Sequence, residues 1–211
     1  RINKDSFFYL CNSIYMTHYG FIEVGTSDFA SLTTQKCYRD SLGISVEPVT
    51  KLIERLPINK NHIKVNKAID ITSGEKDFYK YIDEYIDLPP NSGKKNDYER
   101  GMSSLATADN LKKRITSSVR NDRFEMIKVD CITWSQLIEE HNIASVDYLK
   151  IDTEGMDAYL LIELHKTVLR PHKIKFEYCH HSTEVVKEII DLFKEYEIEK
   201  QTKCDIYLTI T

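Results

Sequence analysis

Phe21-Ile22-Glu23-Val24-Gly25 is a short apolar run that stops at a glycine, and runs of this kind recur along the chain in alternation with helix-length stretches. That alternation limits the fold more than any other feature. Gly43-Ile44-Ser45-Val46-Glu47 reads as a second strand stopped by Pro48, and Ile63 to Ile69 as a third. Phe29 to Arg39 and Val49 to Leu56 read as the helices between them. A strand–helix–strand–helix–strand order predicts a parallel sheet of the α/β class. Lys4 to Tyr19, rich in aromatics, predicts an entry helix within residues 1–20.

The rhythm breaks between Asp70 and Asp122, where Pro89-Pro90, Asn91-Ser92-Gly93 and scattered charges mark an inserted surface region. Residues 70–124 are therefore read as an acceptor-side insertion, with Tyr85 to Arg123 shaping a pocket, because loops at strand ends carry specificity. Order then returns. Glu125 to Ile132, Val146 to Ile151, Lys173 to Tyr178 and Asp205 to Ile210 read as strands. Thr133 to His141, Met156 to His165 and Thr183 to Tyr196 read as helices, with Thr133 as an N-cap. The expectation is one α/β domain over residues 1–211. Its sheet is single, doubly wound, Rossmann-like and mostly seven-stranded, with helices on both faces and an inserted loop region.

Composition removes several classes of function. Lys and Arg number 29 against 33 Asp and Glu, a net charge of −4, which argues against a nucleic-acid binder working through a basic face. The cluster Lys112-Lys113-Arg114 with Arg120 and Arg123 reads as a solvated face or as a contact for an anionic acceptor. No apolar run reaches the ~20 residues of a membrane span. Cys11, Cys37, Cys131, Cys179 and Cys204 are odd in number and widely spaced, with no CxxC. This argues against a disulfide framework or a zinc–thiolate site and for free thiols packed as small hydrophobes. With no leader-like segment, a reducing, cytoplasmic location is expected. The start at Arg1 rather than Met reads as a domain cut from a longer protein.

In parallel sheets, ligands bind at the carboxyl ends of the strands, where strand order reverses. Gly25 ends the first strand and has no Cβ to obstruct a ligand. Glu47 ends the second, 24 positions after Glu23, where an acid can accept hydrogen bonds from both ribose hydroxyls of a nucleoside. The second and third glycines of the dinucleotide fingerprint are replaced by Ser27 and Ala30, so close approach of a pyrophosphate is hindered. S-adenosylmethionine (SAM) offers a ribose, an adenine and an amino-acid tail without phosphate, and it fits better. An NAD or nucleotide-sugar oxidoreductase, and a non-catalytic module that retains the fold, are the alternatives.

The specific resemblance lies in three runs and a signature. Phe21-Ile22-Glu23-Val24-Gly25, Val46-Glu47-Pro48 and Asn66-Lys67-Ala68-Ile69 look like the first three cofactor motifs of SAM-dependent methyltransferases. Val146 to Gly155, with Leu149-Lys150-Ile151-Asp152-Thr153-Glu154-Gly155 at its end, resembles the FkbM signature "DLLKIDVEG". Gly101-Met102-Ser103-Ser104-Leu105, Val129-Asp130-Cys131-Ile132-Thr133 and Ile174-Lys175-Phe176-Glu177-Tyr178-Cys179-His180 are similar to further FkbM elements in the same order. The chain departs from the family in its first loop, which usually reads "DVGANxG" and here reads Glu23-Val24-Gly25-Thr26-Ser27-Asp28-Phe29-Ala30.

The resemblance implies a SAM-dependent O-methyltransferase acting on a hydroxyl of a sugar or glycan, such as a rhamnose unit. It is similar in kind to glycan-methylating domains of large algal viruses, where fusion to glycosyltransferase domains occurs. It implies a donor site at Glu23, Gly25, Ser27, Glu47, Pro48, Ala68, Ser103 and Ser104. Asp152, Glu177 and His180 are the candidates for chemistry, and two readings stay open. In one, these three hold a hard divalent cation such as Mg²⁺, which binds the acceptor hydroxyl. In the other, His180 or Asp152 takes the acceptor's proton as general base. Glu154 and Gly155 are read as part of this end or as the start of the next helix, with Glu154 capping it.

Overall fold

The computed structural model describes residues 16–29, 32–87, 103–105 and 123–210. Two sheets form the frame. The first contains β1 (Thr17–Val24), β2 (Gly43–Val46), β3 (His62–Val65), β8 (Ile143–Ile151), β9 (Lys173–Glu177), β10 (Tyr196–Gln201) and β11 (Asp205–Ile210). Their spatial order is β10-β11-β9-β8-β1-β2-β3. The five strands from β3 to β9 are parallel, and β11 and β10 close that edge antiparallel. β1 is the middle one of the five parallel strands, and strand order reverses between it and β8. Every residue from Tyr19 to Val24 is buried, as a strand covered on both faces requires.

The second sheet contains β4 (Ala68–Ile69), β5 (Gly74–Tyr81), β6 (Ser104–Leu105) and β7 (Phe124–Ile132), in the order β4-β7-β5-β6. β5 runs antiparallel to β7 from Gly74↔Cys131 to Tyr81↔Phe124. Among the described residues, the helices are α1 (Thr50–Arg55), α2 (Asp83–Ile86), α3 (Trp134–Glu140), α4 (Asp157–His165) and α5 (Thr183–Leu192). A capping box starts α3: Thr133 Oγ1 accepts from the Gln136 N–H at 3.3 Å, and the Thr133 N–H donates to Gln136 Oε1 at 2.9 Å. Trp134 packs in the core, and its indole N–H donates to the Leu160 carbonyl. Among the described residues, no helix is long and apolar enough to cross a membrane.

The mixed α/β class and a sheet of seven strands match expectation, but membership of the sheet differs. Glu125 to Ile132 pairs with β4 and β5 in the second sheet instead of joining the first. The seventh strand is β10, and the helix expected to reach Tyr196 ends at Leu192. The run Ile63 to Ile69 is two strands in different sheets. Asn66 holds the break, its amide donating to the Glu47 and Pro48 carbonyls at 2.9 Å each. Residues 32–40 are turns, not a helix; Thr33 and Thr34 are β-branched and weak helix formers. Thr17 to Tyr19 belong to β1, while the rest of the expected entry helix lies outside the described residues, apart from Met16. Lys112, Lys113, Arg114 and Arg120 also lie outside them.

Candidate active site

The ends of β1, β2 and β8 and one side of the second sheet enclose a cleft of about 490 Å³, part of it open to solvent. Val24, Gly25 and Ser27 come from β1 and its turn, Val46, Glu47 and Pro48 from β2, and Asp152, Thr153 and Met156 from the segment after β8. Ala68, Ile69, Phe78, Ser103, Ser104 and Leu105 form the opposing wall from the second sheet. Thus Phe78, Ser103, Ser104 and Leu105, from the stretch between residues 70 and 124, face the same cleft as Gly25 and Glu47. Ser104 Oγ donates to the Thr153 carbonyl at 2.8 Å and ties the two walls together.

Gly25 has φ +75°, and a Cβ there would lie 1.9 Å from the Asp152 carbonyl oxygen. The backbone of the neighbouring strand end excludes a side chain at this position, in addition to any demand from a ligand. Ser27 follows in the left-handed region at φ +50°, a conformation that costs a non-glycine residue about 1–3 kcal/mol. Its N–H thereby donates to Glu47 Oε2 at 2.9 Å, while Glu47 Oε1 accepts from the Val49 N–H at 3.0 Å. Burial pushes the Glu47 carboxyl up to about 7, against the pull of these two N–H donors. Among the described residues, the hydroxyls of Ser27 and Ser103 are buried in the cleft wall with no hydrogen-bond partner. Buried hydroxyls are normally satisfied, so an orphaned pair facing one cleft fits a polar ligand.

Glu23 does not line this cleft. It is fully buried and sits in register with Lys150 on β8, whose Nζ lies 2.9 Å from Glu23 Oε1 and 3.4 Å from Asp152 Oδ2. Its other oxygen accepts from the Leu32 N–H at 3.4 Å. Asp152, its side chain 39 % exposed, therefore stands at the solvent end of a chain Glu23–Lys150–Asp152 that starts in the core. Burial raises the Asp152 pKa; Lys150 opposes the rise, and Glu177 and Glu154 add to it.

Beyond Asp152 lies a second group. His180 Nε2 is 3.1 Å from Glu177 Oε2 and 3.5 Å from Glu154 Oε2. Hydrogen bonds to Glu154 and Glu177 lift the His180 pKa to about 10 despite burial, so the imidazole is a cation at neutral pH. One donor atom from each of the three residues lies within 4.8 Å of the others. Glu154, at φ +56°, takes the place in this cluster that the sequence suggests for Asp152. His181 is distinct from His180: its Nε2 accepts from the Ala158 N–H at 3.3 Å at the start of α4, and burial lowers its pKa to about 4.

Asp157 is a site residue that sequence reasoning misses. It is fully buried, and burial raises its pKa to about 7. Oδ2 accepts from the Thr153 hydroxyl at 2.9 Å and from the Thr153 and Gly155 N–H groups, and Oδ1 accepts from the Glu177 N–H at 3.3 Å. One carboxylate thus fixes the ends of β8 and β9 relative to each other. Its place in the first turn of a helix, five residues after Asp152, is the only signal the sequence offers.

A profile of the Methyltransferase FkbM domain matches residues 16–199. Comparison with curated proteins and with solved structures yields no match. The profile spans every strand that builds the cleft and the Glu154–Glu177–His180 cluster, and with that coverage the chain belongs to the FkbM methyltransferase family.

Proposed function

We propose that this protein is a SAM-dependent O-methyltransferase acting on a hydroxyl of a sugar or glycan, such as a rhamnose unit. The observation that carries the reading is the cleft at the strand-order reversal, where the orphaned Ser27 and Ser103 hydroxyls and the Glu47 carboxylate converge between apolar walls. Glu47, once ionised, accepts the two ribose hydroxyls. Val46, Pro48, Leu52 and Phe78 cover the adenine, and the serine hydroxyls take polar atoms of the donor.

The donor supplies a sulfonium methyl, and the acceptor oxygen takes it as the carbon–sulfur bond breaks and leaves a neutral thioether. Asp152 lies between this cleft and the Glu154–Glu177–His180 cluster and accepts the acceptor's proton. The His180 imidazolium, flanked by Glu154 and Glu177, orients neighbouring hydroxyls of a polyol. As a cation it is not the general base. A second reading is favoured by the close approach of the Glu154, Glu177 and His180 donors. There, Glu154, Glu177 and a neutral His180 would hold a hard dication, which would supply Lewis acidity toward an acceptor hydroxyl.

Incubation with methyl-labelled SAM and a panel of deoxyhexose and hexose glycosides tests the proposal. Label on a sugar hydroxyl supports it, and loss of that transfer on adding a chelator, restored by Mg²⁺, selects the dication. SAM binding without transfer to any hydroxylated acceptor favours a non-catalytic module. NAD binding without SAM binding favours an oxidoreductase.

A further inference from the structure

Cys179 and Cys204 are 25 positions apart, yet their sulfurs and a carboxylate oxygen of Glu177 all lie within 4.8 Å of one another. The antiparallel pairing of β9 with β11 sets Asp205 opposite Glu177, and the Tyr178 N–H donates to the Cys204 carbonyl at 2.7 Å just beyond the ladder. The two thiols are therefore brought together by backbone register on either side of a strand end. Cys179 Sγ lies 3.3 Å from Glu177 Oε1, while the other oxygen, Oε2, faces His180. Cys179 is exposed and Cys204 half-buried, so the group opens to solvent. The expectation that all the cysteines pack as small hydrophobes holds for Cys131 alone among the four described.

We infer that Cys179, Cys204 and Glu177 form a binding site for a thiophilic divalent cation such as Zn²⁺, with water at the fourth position. Two sulfurs and one carboxylate oxygen are a donor set that zinc prefers over magnesium. Tetrahedral zinc, with bonds of ~2.0–2.3 Å, holds its donors about 3.3–3.8 Å apart, so small side-chain rotations close the observed group around an ion. Binding releases the two thiol protons to solvent. The site shares Glu177 with the His180 cluster, so an ion on Oε1 weakens the negative field at His180. The site itself does not rest on the methyl-transfer reading.

The test uses Co²⁺ as a spectroscopic stand-in for Zn²⁺ on the reduced, full chain. The expected result is a thiolate-to-metal charge-transfer band that saturates at one equivalent and is displaced by Zn²⁺. Cys179→Ser and Cys204→Ser each abolish the band, while Cys11→Ser and Cys37→Ser keep it. Circular dichroism verifies that each variant is folded, and Cys179, being exposed, tolerates the change. No band in the reduced wild type overturns the inference, as does a band that survives both Cys179→Ser and Cys204→Ser. So does rapid Cys179–Cys204 disulfide formation under mild oxidant at saturating Zn²⁺, which would mark the pair as a redox couple.

Discussion

Lys150 Nζ lies 2.9 Å from Glu23 Oε1, at register-paired positions of the two central strands, with Glu23 wholly buried. The pair sits beneath the cleft, and its ammonium reaches on to Asp152. A sequence reading assigns Glu23 to the donor site; its place in the fold makes it the counter-charge that keeps Lys150, and through it Asp152, in position. Lys150→Met takes the ammonium away from the buried Glu23 carboxylate and is expected to cost about 3–5 kcal/mol. Glu23→Leu combined with Lys150→Met recovers most of that loss. Urea denaturation of the single and double variants checks both, and a single variant within about 1 kcal/mol of wild type contradicts the account.

Gly25→Ala places a Cβ 1.9 Å from the Asp152 carbonyl at a φ of +75°. The two nearest atoms, the Asp152 carbonyl oxygen and carbon, are backbone, so the strand end itself must move. The expected cost is at least ~2 kcal/mol, with loss of donor binding. Thermal denaturation and titration with S-adenosylhomocysteine read the two effects separately.

Asp152→Asn keeps the shape of the cleft wall and removes the proposed proton acceptor. The expected outcome is unchanged S-adenosylhomocysteine affinity with methyl transfer reduced about 10²–10⁴-fold. Equal loss of binding and turnover would mean that Asp152 serves the donor instead.

Stability should fall as pH rises. The folded-state pKa values of Glu47 and Asp157 are raised to about 7, so the native state binds protons more readily than the unfolded chain. Their contribution is full below about pH 4 and is lost as pH climbs through 7. His180, raised to about 10, adds a contribution that is present below pH 6.5 and lost as pH approaches 10. Asp157→Asn is expected to flatten the lower window and His180→Gln the upper one, as read by urea midpoints from pH 5 to 10. Donor binding runs the opposite way: if ionised Glu47 receives the ribose hydroxyls, affinity rises between pH 6 and 8.

Much of the cleft wall is readable from sequence. Gly25, Ser27, Glu47, Pro48, Ala68, Ser103, Ser104 and Asp152 all line it, because most stand at or just beyond strand ends that a strand–helix rhythm orders in space. What escapes is set by register and turn conformation. Glu154 reaches His180 from a left-handed turn residue, and Lys150 meets Glu23 across a ladder. Cys204 meets Cys179 only through the pairing of β9 with β11. The second sheet is equally hidden. β5 reads Gly-Glu-Lys-Asp-Phe-Tyr-Lys-Tyr, whose charged first half resembles a loop until its pairing with β7 is seen.

Calorimetric titration of S-adenosylhomocysteine into wild type and Glu47→Ala tests the central claim most directly. The account predicts one-to-one binding to the wild type near neutral pH and its loss in a folded Glu47→Ala variant. A folded wild type that binds no S-adenosylhomocysteine, or a Glu47→Ala variant that binds it equally well, would contradict the assignment of the donor cleft.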